Sequence, residues 1–149
     1  MKNTNTNKGR ALSKVLAALL IVASILALAS CKSVPAEGLW ENATYRRDRS
    51  FGSGATAIEV IVEVGEYSVT FAVNTDEKTL DKALLEHELV DGEYGQYGLS
   101  VYEVNGIEAD WERDNAYWAI YVGEEYAMSG MSGIEVVDGA SYKLVWERI

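Results

Sequence analysis

The clearest period along the chain is two. In AIEVIVEVGEYSVTFAV, residues 57–73, Ile58, Val60, Val62 and Val64 alternate with Glu59, Ile61 and Glu63, and Tyr67, Val69, Phe71 and Val73 alternate with Ser68, Thr70 and Ala72. Between the two runs, Gly65-Glu66 suits a two-residue type II′ hairpin loop. That loop pairs Val64 with Tyr67, Val62 with Val69, Val60 with Phe71 and Ile58 with Val73. Paired residues point to the same side of a sheet, so eight large apolar side chains fall on one face and mostly Glu, Ser and Thr on the other.

The period then lengthens. In TLDKALLEHELV, residues 79–90, Leu80, Ala83, Leu84 and His87 stand at i, i+3, i+4 and i+7, widened by Leu85 and Leu89. Thr79 is placed to cap this helix, Asp81 suits its positive first turn, and Asp91-Gly92 marks its end. Alternation returns in GLSVYEVNGI, with Asn105-Gly106 as a turn, in AYWAIYV (Trp118, Ile120 and Val122 on one face) and in SYKLVWER (Tyr142, Leu144 and Trp146). The order strand, strand, helix, strand, strand, strand describes one α+β domain over residues 57–149. It is a mixed sheet of about five strands with one helix covering its apolar face.

The N-terminal third changes the picture of where the domain sits. Lys2, Lys8, Arg10 and Lys14 precede an apolar run from Val15 to Leu28, which ends in Leu28-Ala29-Ser30-Cys31. This is the layout of an export signal, too short to span a bilayer comfortably. The triplet before the only cysteine resembles the lipobox of bacterial lipoproteins, which implies cleavage after Ser30 and a diacylglyceryl group on Cys31. Residues 1–30 are then the signal and 31–56 a lipidated N-terminus and tether, in which Trp40, Tyr45 and Phe51 hint at contact with the domain. Such an anchor holds the protein to the outer face of the cell membrane without spanning it. With Cys31 used, no disulfide is available, and with His87 as the sole histidine a Cys/His zinc site is excluded.

Four of the 13 basic residues lie in the signal and all 23 acidic ones lie after it, leaving nine against twenty-three and a formal charge of −14. A surface this acidic repels nucleic acid and excludes it as a partner. Arg46-Arg47-Asp48-Arg49 is the local exception, close enough to the anchor to meet anionic headgroups, and otherwise a solvated arm.

Catalytic motifs are missing: there is no Gly-x-Ser-x-Gly, phosphate-binding glycine loop or dinucleotide fingerprint, so neither an enzyme nor a cofactor is expected. His87 lies on an apolar stripe and reads as packing. Asp110, Glu112 and Asp114 are spaced like calcium ligands, but the glycine and distal glutamate of an EF-hand loop do not follow, and no metal site is expected. The best candidate contact surface is YWAIYVGEEYAMSGMSG, residues 117–133, where an aromatic strand runs into a Met/Gly loop. Methionine adapts to irregular surfaces and glycine allows close backbone approach. Tyr117, Tyr121, Met128, Gly130, Met131 and Gly133 are therefore the expected ligand wall, against the plainer reading of a loop whose methionines cap the core.

TLDKALLEHELV, YGLSVYEVNGIEAD and YWAIYVGEEYAMSGMSGIEVVDGASYKLVW together resemble the transcobalamin-like C-terminal domain, from about Ala57 to Trp146. The chain departs from the family pattern at two turns, Gly123-Glu124 and Asp138-Gly139-Ala140. The resemblance implies a β-grasp-like fold. In the cobalamin carriers the ligand lies between this domain and a large helical one, so a chain of this length is expected to supply half of such a site. The sequence leads to a lipid-anchored extracytoplasmic binding module with a half-site for a cobalamin-like ligand. The alternative is a surface module that binds an envelope protein or polymer and no small molecule.

Overall fold

A computed structural model of the chain describes residues 36–149. The signal and Cys31 lie outside the described residues. The hairpin forms in the expected register, strand β1 of the N-terminal arm (Arg49–Gly52) preceding it, then β2 (Thr56–Val64) and β3 (Tyr67–Thr75). Gly65 takes a left-handed φ of 61° while Glu66 does not, as a type II′ turn requires. Seven of the eight apolar side chains on the shared face are buried; Tyr67, next to the turn, is half-buried and stacks on Trp40 at 5.8 Å.

The C-terminal strand β9 (Ser141–Arg148) lies parallel to β2, and β7 (Ala116–Val122) runs antiparallel to β9, pairing Trp118 with Trp146 and Ile120 with Leu144. The central order β3-β2-β9-β7 is that of a β-grasp. Two additions extend it to six strands: β1 joins parallel to β3, and the two-residue β8 (Glu125–Tyr126) folds back on β7. A second sheet of β4 (Val90–Gly95), β5 (Gly98–Val104) and β6 (Ile107–Glu108) completes an α+β fold.

The helix and the segment after it differ from the sequence reading. Helix α2 covers only Leu80–Leu85, after the short α1 (Ala36–Trp40) and before the one-turn α3 (Trp111–Asp114). Leu89 N–H donates to Leu84 O and Glu88 N–H to Leu85 O, with Glu88 at φ 54°. This is a Schellman stop, with glutamate in the left-handed position where glycine is usual, so the sequence carried no stop signal there. Val90, assigned to the helix, opens β4 instead. Thr79 makes no side-chain cap; the first helical N–H, from Leu80, donates to Ile134 O.

The segment expected as tether is part of the packed unit from residue 36 onward. Trp40 and Ala43 are buried in the core, and Phe51 meets Phe71 edge-on at 5.5 Å. Asn105, itself buried, holds the arm by its backbone: Tyr45 N–H donates to its Oδ1 at 2.9 Å and its Nδ2 donates to Tyr45 O at 2.8 Å. Gly52 is needed where the arm crosses, since a Cβ there would stand 2.0 Å from Asn74 O. Residues 36–149 belong to one compact unit with its own core.

Candidate functional site

Strand β7 sorts the expected site residues onto two faces. Trp118 and Ile120 point to the core side, where the Trp118 indole N–H donates to Ile107 O at 3.2 Å. Tyr117 and Tyr121 point to the other side. Because β7 is followed only by the two-residue β8, its inner face is left partly uncovered at that end. Ala127 N–H donates to Ile120 O at 2.8 Å and starts a loop that arches over the gap. A half-open hollow of about 370 Å³ results, lined by Trp118, Ile120, Tyr126, Ala127, Met128, Ser129 and Gly130.

The loop is fixed at its far end by a plug and a polar knot. Met131, at the start of a 3₁₀ turn (Met131–Gly133), is 0% exposed and packs in the core. Next to it, Ser132 Oγ donates to Asp81 Oδ2 at 2.6 Å and accepts Leu99 N–H at 2.9 Å, while Tyr94 donates to the same Asp81 oxygen at 2.8 Å. Asp81 is 1% exposed. Burial by itself would raise its carboxyl, but the hydrogen bonds from Ser132, Tyr94 and the Lys82 backbone outweigh it and hold the group below the ordinary aspartate value. The knot ties α2, β4, β5 and the 3₁₀ turn together. Between these anchors Met128 stands 98% exposed.

The six residues named from the sequence are therefore not brought into one wall. Met128 and Gly130 line the hollow. Met131 is core, and Gly133 sits under Ser129, with its N–H donating to Gly130 O. Tyr117 and Tyr121 lie on the opposite face of the sheet, where their hydroxyls donate to the two oxygens of Glu147 at 2.6 and 3.0 Å. The bond to Glu147, with burial and the negative charge adding to it, pushes Tyr117 up to about 12 and raises Tyr121 as well. Tyr126 alone joins the two sides: it lines the hollow and meets Tyr121 edge-on at 5.4 Å. Trp118 and Ile120 were legible as an apolar face; that Ile120 would stay half-buried at the wall of a hollow beside β8 was not.

The other candidates resolve locally. His87 follows the helix and packs beside Phe51, with ring centroids 5.7 Å apart. Asp110 caps α3 by accepting Arg113 N–H, and the Arg113 guanidinium contacts Asp110, Asp114 and Glu108. Among the described residues no group of three or more His, Cys, Asp or Glu side chains is placed to share a metal ion.

No protein-family model and no curated protein matches the sequence. Among solved structures, a proposed metal binding protein from Ruminococcus gnavus ATCC 29149 is 32% identical, with a TM-score of 0.60 over 63% of this chain and 98% of that one. Haptocorrin in complex with Cbi is 19% identical with a TM-score of 0.48, over 66% of this chain and 26% of haptocorrin. The chain thus spans about a quarter of haptocorrin's length, and that likeness is too distant to bear on a ligand.

Proposed function

We propose that this chain, which belongs to one family with the Ruminococcus gnavus protein, is a binding module and not an enzyme. It is held on the outer face of the membrane through Cys31 and contributes half of a site for a broad, largely apolar ligand of the corrinoid class. The observation that carries the reading is the hollow beside β7. It joins an indole, an isoleucine and a fully exposed methionine, and its loop is fixed at both ends before any ligand arrives. Pre-ordered apolar surface of this kind binds without the entropic cost of ordering a loop. The ligand class comes from the sequence resemblance, and a half-open hollow of about 370 Å³ suits partial coverage of a large ring. The metal binding proposed for the Ruminococcus gnavus protein is not carried over to this chain.

A second reading, a module for an envelope protein or polymer, draws on the β4–β5 hairpin, where Tyr94, Tyr97 and Tyr102 are all exposed. The two separate on binding of cobinamide to residues 34–149. Half a site gives a Kd of roughly micromolar or weaker, about 8 kcal/mol or less. Gly130→Leu has room for its Cβ, whose nearest neighbour would be Leu99 O at 4.0 Å, and puts bulk into the hollow. Retained folding with at least tenfold weaker binding supports the small-ligand reading. No binding by the unmodified unit, or unchanged binding by the variant, moves the function to the hairpin.

A further inference from the structure

Within the acidic stretch 36–149, basic residues cluster in one place. Residues 36–149 hold eight Lys and Arg side chains, and three of them fall in the run Arg46-Arg47-Asp48-Arg49. Of the other five, Arg113 and Arg148 contact Asp114 and Lys143 contacts Glu63 and Glu124, while Lys78 and Lys82 stand singly on the surface with no carboxylate within 4.0 Å among the described residues. Among the described residues no carboxylate stands within 4.0 Å of Arg46, Arg47 or Arg49. The undescribed residues 1–35 contain no Asp or Glu that could serve. Three adjacent cations without a counter-charge, in a protein with acid to spare, are an arrangement that an external anion would complete.

The local structure keeps that charge facing outward. Asp48, the acid within the run, is turned to the sheet, where its Oδ1 accepts Thr70 N–H at 2.9 Å. The Arg49 guanidinium lies 4.7 Å over the Tyr45 ring, and Arg46 donates to the Glu41 carbonyl. Tyr45 is in turn clamped by Asn105 on both its backbone groups. Ala43, Thr44, Tyr45 and the three arginines line a hollow of about 400 Å³, separate from the one beside β7. Guanidinium groups in a fixed fork match the oxygens of a phosphate better than any other common anion, and the Thr44 hydroxyl adds a neutral donor.

We propose that Arg46, Arg47 and Arg49 form a binding site for a phosphate group. Its source is either the headgroup of an anionic phospholipid or a soluble phosphate. The headgroup source rests on the lipid-anchor reading, which would put the run fifteen residues from the bilayer at Cys31. Residues 34–149, which lack the anchor, allow the site to be tested apart from that reading. Amide shifts are followed against inorganic phosphate and pyrophosphate, and co-sedimentation against vesicles of phosphatidylcholine alone or with one-third phosphatidylglycerol. Shifts confined to residues 43–49 with phosphate or pyrophosphate support a soluble ligand. Binding to the phosphatidylglycerol vesicles only, weakened by salt, supports the headgroup. In either case Arg46→Gln/Arg47→Gln/Arg49→Gln should weaken binding at least tenfold, while Lys78→Gln/Lys82→Gln, exposed cations elsewhere on the surface, changes it less than twofold. No response to either anion source, or equal losses in the two variants, overturns the site.

Discussion

At the scale of single residues, the chain uses carboxylates to fix neighbours. Glu147 is the clearest case, with one tyrosine hydroxyl on each oxygen. Its bond and charge disfavour the phenolate, which is why Tyr117 is pushed up to about 12. A tyrosine raised in the folded state contributes stability that is fully present below its unfolded value near 10 and is lost as pH rises through 12. Absorbance titration of the tyrosines should therefore show a late phase near 12, removed by Tyr117→Phe and moved toward 10 by Glu147→Gln. A late phase that ignores Glu147→Gln would mean that burial and not the carboxylate sets it. None of this was legible in the sequence. Alternation said that Tyr117 and Tyr121 share a face, but not that the pairing of β7 with β9 would bring Glu147 between them.

At the scale of elements, what could be read was what repeats. The β2–β3 hairpin was legible to the residue because period-two patterning and a Gly-led turn agree with each other. Its faces make a direct test. Phe71 is fully buried and packs against Tyr45 and Phe51, so Phe71→Ala should cost about 3–5 kcal/mol. Thr70 points the other way; Asp48 holds only its backbone N–H, so Thr70→Ala should cost under about 1 kcal/mol. Equal shifts in urea midpoint would put the faces the wrong way round. Elements without a period were missed. Strand β4 reads VDGEYG, with a register shift between Asp91 and Gly92 that erases alternation. The arm strand β1 is four residues long and held by a parallel edge, and the arm before it is clamped at Tyr45 by Asn105, sixty positions away. The candidate site suffered in the same way. Met128 and Gly130 were found because the loop composition is unusual, whereas Met131 and Ser132, three and four residues beyond Met128, turn inward to the core and to Asp81, a partner 51 positions distant.

At the scale of the whole molecule, an acidic β-grasp unit carries the apolar hollow, and the proposed lipid anchor precedes it in sequence. The anchor is testable by itself, since it depends on Leu28-Ala29-Ser30-Cys31 and on nothing in the fold. Expressed in a bacterial host, the full chain should incorporate labelled fatty acid, and Cys31→Ser should abolish the label and leave the signal uncleaved. Label persisting on the serine variant would remove the anchor and leave the binding unit unaffected.

The central claim is that the ligand surface is the inner hollow beside β7 and not the tyrosine face behind it. Cobinamide titrated into isotopically labelled residues 34–149 decides between them in one measurement. Saturable amide shifts are expected at Trp118, Ile120 and residues 126–130, with Tyr117, Tyr121 and Glu147 unmoved. Shifts centred on Tyr117, Tyr121 and Glu147, or no shift up to millimolar ligand, would contradict that claim.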